Sequence, residues 1–354
     1  MSKGLIVSTS SIEDEERGAI LRVKRLLEEL EPYDKNLFVI KFFKKGKKRK
    51  SGVQIEYFPL KLHDLPKMLI HFLKGAPLSN LLYSRKDITK RLDEFDKIIF
   101  HLSRTYQEPY PESKTSIDIC ESMSENFLMR YKLSNHLSWK RYFYYFESRR
   151  LEKFEKKISS IEGLQKFFIT EKDQLFLKNP NCEVIPNKIY RDIVKKNDER
   201  INFYKCIFLG HVDYEPNIVS IIKTSKMLGK IDKSYELHVV GRFNLRSKQR
   251  LEKFKNIYLH GFVEFFDDIF SDALCGLSLV ENTTGMQNKV LDYFTNSLPA
   301  IVSKQVQEGL PDKSPAMVLF KEELLENYLL ELRKPQVRDK IIDKGYNYLL
   351  GLNS

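Results

Sequence analysis

Lys289 and Asp292 stand three residues apart in LVENTTGMQNKVLDYFTNSLPAIVS (279–303). On a helix that spacing puts a cation and a carboxylate on one face. Such a pair suits a phosphate and a ribose hydroxyl of one nucleotide. It is equally the composition of a solvated surface ion pair, and spacing alone leaves both readings open. The flanking elements bear on the choice. LCGLSLV (274–280) has the length of a buried strand. ENTTG then breaks the pattern, with Thr283 or Thr284 able to cap a helix and Gly285 letting the backbone approach a ligand. From Met286 a helical period follows, with Val290, Leu291, Phe294 and Leu298 on one side. SLPAIVS (297–303) is a turn and a further apolar strand. A strand feeding a loop and a helix N-terminus is where an open α/β sheet binds anions.

The stretch TGMQNKVLDYFTNSLPAIVS resembles the donor-binding segment of family 4 glycosyltransferases of the GT-B fold. The bacterial polysaccharide-synthesis branch carries G-x-Q-N-K-V-L-E-A-M-A-x-G-x-P-V-V there. The resemblance implies that Asp292 holds the donor ribose and that Lys289 faces its diphosphate, with Gly285, Met286, Gln287 and Asn288 lining the same site. Two departures stand out. The acid is Asp in place of Glu, one methylene shorter. The family's sugar-facing Glu, eight positions earlier, is Thr284 here, and Glu281 is the candidate to replace it.

Other strings follow the same branch in order. FLGHVDYEPN (208–217) resembles F-x-G-x-x-x-Y-x-P-N, placing Gly210 beside the donor. Its loop has neither the Arg nor the Lys that many retaining GT-B enzymes use, so the phosphates fall to Lys289, helix amides, and Arg242 or His211. In NIYLHGFVEFFDDIFSDA (256–273), Gly261 and Phe262 would face the base; Phe262 is equally a core residue. SIDICESMSENF (116–127) resembles D-x-x-D-S-x-S, with Asp118 and Glu121 in the acidic positions. They could orient an acceptor hydroxyl or act as a base. They could equally cap the next helix, a role Ser122 and Ser124 also offer. Thr170, Glu171 and Asp173, then Ile185, Pro186 and Asn187, keep parts of two shorter strings.

The first half opens as a Rossmann-like unit: a strand and polar loop (3–11), then an amphipathic helix (13–34) with Ile20, Val23, Leu26, Leu27 and Leu30 as its stripe. There is no G-x-G-x-x-G, so a dinucleotide site is unsupported. In the resembled family the Arg opening this helix faces the interdomain cleft, where Arg17 stands here; a solvated charge is the alternative. A strand at 97–102 ends in His101, where α/β sheets keep ligands. A satisfied, half-buried histidine is the other reading. Arg104 fits the acceptor-side Arg of the branch. The run KKGKKRK (44–50) reads as a solvated loop, or as a contact for an anionic surface. The helix 136–159 is basic and aromatic, which fits packing, as the family-like string Glu147–Glu155 suggests, or an interfacial role.

The whole chain sets bounds. Its 354 residues predict two domains, and a net charge of +12 predicts an anionic partner. The 4 cysteines show no C-x-x-C, which fits reduced thiols rather than disulfides or zinc. No signal peptide or membrane span is expected. The expected fold is α/β, GT-B, with two Rossmann-like domains facing across a cleft. Residues 1–195 would bind the acceptor and 196–354 the nucleotide sugar, with 191–203 as linker and the last helix free to pack back on the first domain.

The resemblance implies a retaining, metal-independent glycosyltransferase, with His101, Asp118 and Lys289 as catalytic candidates. No cofactor is implied beyond the donor, read as a UDP-sugar. The acceptor is lipid-linked or saccharide, in surface polysaccharide or lipopolysaccharide synthesis. The expected location is cytoplasmic, and the basic segments fit a peripheral place on the inner membrane face. The competing readings are a non-catalytic GT-B binding or docking protein, and a nucleic-acid binder built on residues 44–50.

Overall fold

A computed structural model describes residues 2–13, 17–60, 70–134, 136, 138–176, 182–190, 201–263, 266–281, 283, 285–311 and 314–353. The chain divides into two compact units, Met1–Lys188 and Ile189–Ser354. The expected break at 195 lies outside the described residues.

The first unit is built on eight strands: β1 (Lys3–Ser8), β2 (Asp34–Lys41), β3 (Gly46–Lys50), β4 (Val53–Pro59), β5 (Lys97–His101), β6 (Thr115–Cys120), β7 (Gln165–Phe168) and β8 (Glu183–Val184). Their order across the sheet is β3-β4-β2-β1-β5-β6-β7-β8, and all pairs but β3–β4 are parallel. From β1 the chain winds outward one way through β2 and β4, then returns to β1's other side at β5. The order therefore reverses between β1 and β5. A parallel sheet is covered on both faces, so its strands read as unbroken apolar runs. In β1, Leu5 and Val7 enter one core cluster while Ile6 enters the other. Val23, Leu26 and Leu27 of the Arg17–Glu28 helix close the second cluster, as the sequence stripe requires.

The basic run is not a loop. Gly46–Lys50 pairs antiparallel with β4 as an edge strand, every residue exposed. Two features make this possible. Ser51 and Gly52 both have positive φ (50° and 77°), the two-residue turn that matches strand twist. Charged residues also suit an edge, because they discourage further pairing. The lysines are partly neutralised: Lys48 and Lys50 pair with Glu13, and Lys47 pairs with Glu56.

The second unit carries six parallel strands: β9 (Asn202–Leu209), β10 (Glu236–Val240), β11 (Ile257–Gly261), β12 (Ala273–Ser278), β13 (Ala300–Ser303) and β14 (Met317–Leu319). The expected linker thus already belongs to β9 at Asn202, while 191–200 lie outside the described residues. The order is β11-β10-β9-β12-β13-β14. This is the doubly wound arrangement, and it reverses between β9 and β12. The closing helix Pro335–Asn353 packs within this unit on the Asn288–Thr295 helix, with Tyr348 edge-on to Phe294.

Candidate active site

In an open α/β sheet the carboxyl ends of the strands flanking a reversal diverge, and the gap between them takes ligands. In the second unit those strands are β9 and β12. Tyr293 ties the Asn288–Thr295 helix across both. Its hydroxyl accepts the Leu209 N–H at 2.9 Å and donates to the Leu277 carbonyl at 3.3 Å. Burial pushes this phenol well up, so it stays a protonated donor. Its ring lies over Gly276, where a Cβ would sit 2.5 Å from ring carbons, so only glycine fits. Gly241, at the end of β10, is under a similar constraint: a Cβ there would come within 1.8 Å of the Gly210 carbonyl oxygen. The strand ends therefore meet backbone to backbone beside the gap.

Lys289 projects from the first turn of this helix toward the β9 end. Its Nζ lies 4.5 Å from the Phe208 ring centroid and donates to Asn217 Oδ1 at 3.2 Å. Asn217 Nδ2 donates in turn to the His211 carbonyl at 2.8 Å, which fixes which end of the amide faces the lysine. Burial pulls the Lys289 amine down from 10.5 to about 7. A cation held by a neutral amide and a ring, at the reversal point of a doubly wound sheet, is arranged for an incoming anion. The helix N-terminus adds to this. Gln287 occupies the capping position and makes no side-chain capping bond. Thr283 does not cap as the sequence suggested but receives the Gln287 side-chain amide, and Thr284 lies outside the described residues. The capping position falls four residues after Thr283, which is therefore out of reach of it.

The other donor-side candidates line the same edge of the sheet. Gly210 follows β9, and a Cβ added there would lie 3.2 Å from the Lys289 amine, so the missing side chain leaves room for the lysine. Arg242 follows β10, its guanidinium 4.8 Å from the centroid of Phe262, which follows Gly261 of β11. Phe262 is 52% exposed, so it is not a core residue. Gly285 has a positive φ of 63°, Met286 is buried, and Asn288 and Asp292 are half-buried on the helix. Glu281 is exposed and pairs with Lys223 at 2.6 Å.

The first unit has its own polar centre at its reversal point. His101 ends β5, and its Nδ1 lies 2.8 Å from Asp118 Oδ2. Asp118 is fully buried, and Arg22 from the first helix forks onto both of its oxygens and reaches the Ile185 carbonyl. Burial alone would raise the Asp118 pKa, but Arg22 and His101 outweigh it and hold the carboxyl at about 2. An ionised carboxylate only accepts, so His101 Nδ1 carries the hydrogen and Nε2 is the acceptor of the neutral ring. Arg104, after β5, donates to Thr9 Oγ1, after β1, at 2.9 Å and so bridges the two strands of the reversal. Arg17 opens its helix, but its side chain lies outside what is described.

The sequence left two readings for Asp118 and Glu121. Neither supplies the cap: Ser122 does, accepting from Glu125 N–H at 3.2 Å. Glu121 is half-buried beside it. A deeper cap comes from Glu155, which receives the N–H groups of Met123 and Ser124 and the hydroxyls of Ser122 and Ser124. Glu147 does the same for Leu78 and Ser79 at the start of another helix. The family-like string Glu147–Glu155 thus anchors two helix N-termini from one helix. Three functional or positioning residues escaped the sequence reading: Arg22, Tyr293 and Asn217. Asn217 stood in a quoted motif, and that adjacency was its signal.

No family model matches this sequence, and no curated protein matches it. Solved structures do. A trehalose-phosphate synthase (UDP-forming) from Burkholderia vietnamiensis aligns with a TM-score of 0.65 at 11% identity, over 99% of this chain and 94% of that one. WaaG, a glycosyltransferase involved in lipopolysaccharide biosynthesis, aligns with a TM-score of 0.59 at 12% identity, over 98% and 95%. TarM aligns with a TM-score of 0.55 at 12% identity over 78% of this chain, which spans 55% of TarM's length. The S. aureus TarM is also known in complex with UDP. These neighbours are GT-B glycosyltransferases, and the likeness shows the fold: the chain is a GT-B protein of two Rossmann-like units.

Proposed function

We propose that this protein is a glycosyltransferase that moves a sugar from a nucleotide-sugar donor, read as a UDP-sugar, to a lipid-linked or saccharide acceptor in surface polysaccharide or lipopolysaccharide synthesis. The observation that carries this reading is the seat of Lys289 at the β9–β12 reversal. Two structural neighbours support the nucleotide, one being UDP-forming and one solved with UDP; WaaG supports the pathway.

In this reading the donor diphosphate lies on the Lys289 amine and the first amides of its helix. Asp292 holds the ribose, and Phe262 with Arg242 forms a platform for the base. As the glycosidic bond breaks, charge grows on the leaving phosphate. Fixed donors already aimed at that oxygen stabilise the transition state more than the ground state. Transfer proceeds with retention and without a bound metal. His101, its tautomer set by the buried Asp118–Arg22 pair, is the acceptor-side base; Arg104, Glu121 and Arg17 are the acceptor-side polar residues. Asp118 acts through His101, because both of its oxygens are already engaged.

The competing reading, a GT-B protein that binds without turnover, draws on Glu281. Its carboxylate pairs with Lys223 on the surface, which supports a site without the acid that Thr284 displaces. A thermal-shift screen against UDP, GDP, CMP and their sugars tests the donor assignment. Ligand at ~100 times its Kd adds roughly 2.7 kcal/mol of stability. A shift confined to one nucleotide class and lost in Lys289→Ala is expected. Unchanged donor binding in both Lys289→Ala and Asp292→Ala would refute the site.

A further inference from the structure

We propose that the first half of the Trp139–Ser159 helix, together with Leu73 beside it, is a docking face for an anionic membrane surface. The helix has two aromatic sides. On one, Phe143 and Tyr144 pack edge-on against Phe127 of the Met123–Leu133 helix. Residues 139, 142 and 146 fall on another side, one turn apart. Trp139 is 72% exposed, Tyr142 62% and Phe146 56%. An aromatic stripe at helical spacing usually means core; this one faces water. Leu73, 73% exposed, joins it, because Arg150 stacks 3.8 Å from the Phe72 ring and Glu147 holds the Leu78 N–H.

Charge decides the partner. The helix carries seven basic residues and three acids. Two of those acids, Glu147 and Glu155, are buried as helix caps, and the third, Glu152, is held between Arg149 and Lys156. The outward charge is therefore strongly positive and follows the aromatic face directly, with Arg149 and Lys153 continuing it. Trp, Tyr and Phe with flanking Arg and Lys are the composition of a helix lying in the plane of a lipid interface. Among the described residues no helix is long and apolar enough to cross a membrane, so the contact is peripheral. Phe42 and Phe43, 57% and 89% exposed before Lys44 and Lys45, give the same unit a second contact of the same kind.

The chain contains a single tryptophan, Trp139, which makes the face self-reporting. The full-length protein is mixed with vesicles of phosphatidylcholine alone or with phosphatidylglycerol, and flotation and tryptophan emission are followed. Flotation and a blue shift with the anionic vesicles alone are expected. The Tyr142→Ser/Phe146→Ser variant should bind about tenfold more weakly while its thermal shift with UDP is unchanged. The proposal is overturned if neither signal appears, if the variant floats like the parent, or if single-stranded RNA alone changes the emission. Because the readout is binding to lipid, it stands or falls separately from the donor assignment.

Discussion

Donor binding should take up a proton. The Lys289 amine is held at about 7 by burial, against an ordinary 10.5, so at pH 8 about one protein in ten carries the charge a diphosphate needs. Among the described residues the amine rests on Asn217 and the Phe208 ring, and neither is an acid that would restore it. An arriving diphosphate supplies the missing negative charge and favours the protonated form. Above pH 7 the protonation must then accompany binding, at roughly 1.4 kcal/mol, or tenfold in affinity, for each pH unit. Between pH 7 and 8, below the range in which the uracil ring loses its N3 proton, a UDP-sugar should weaken by about fivefold, as the protonated share of the amine falls from about a half to about a tenth. Calorimetry in two buffers of unlike ionisation heat should count close to one proton taken up per donor bound at pH 8. Lys289→Arg, always charged, should bind with no such slope. A flat pH profile in the parent protein, or a slope that persists in Lys289→Arg, would refute the reasoning. The same depressed pKa affects stability with a definite sign. The unfolded chain takes the proton first as pH falls from 10.5, so the lysine lowers stability progressively down to about pH 7 and no further. Lys289→Met should therefore lose donor binding without loss of thermal stability.

Two further outcomes follow from the buried polar groups. Tyr293→Phe leaves the Leu209 N–H without its acceptor in the core; a loss of about 1–3 kcal/mol in urea unfolding is expected, with weaker donor binding because the helix is no longer tied to β9. Arg22→Ala strands the Asp118 charge and should cost about 3–5 kcal/mol, whereas Asp118's own contribution, present above its ordinary 3.8, should disappear as the pH is taken down through about 2 in acid-unfolding curves of the parent.

What the sequence revealed depended on how local the cause was. The β12–helix–β13 stretch was readable because its apolar run and its helical period are set by neighbours within one turn. The doubly wound character followed from repeated strand–helix units. β3 was misread because six like charges in residues 44–50 say loop, while the decisive feature was the Ser51–Gly52 turn, whose two positive φ values return the chain onto β4. Arg22 was hidden because its partner lies 96 residues away. Nothing in a helical stripe announces which charged member will be buried. Glu147 and Glu155 were visible as a pattern, but their purpose belongs to helices elsewhere in the chain. Lys289 was recognisable by type and motif. That it rests on an amide and a ring rather than on a carboxylate needed the fold, and that difference is what gives the site its chemistry.

Release of UDP from a panel of UDP-sugars, measured with extracted lipid-linked acceptors, tests the central claim most directly. The account predicts acceptor-stimulated release with one donor, abolished in Lys289→Ala. Donor that binds with a clear thermal shift, yet is turned over with no acceptor, would contradict it and make the protein a nucleotide-sugar-binding GT-B scaffold.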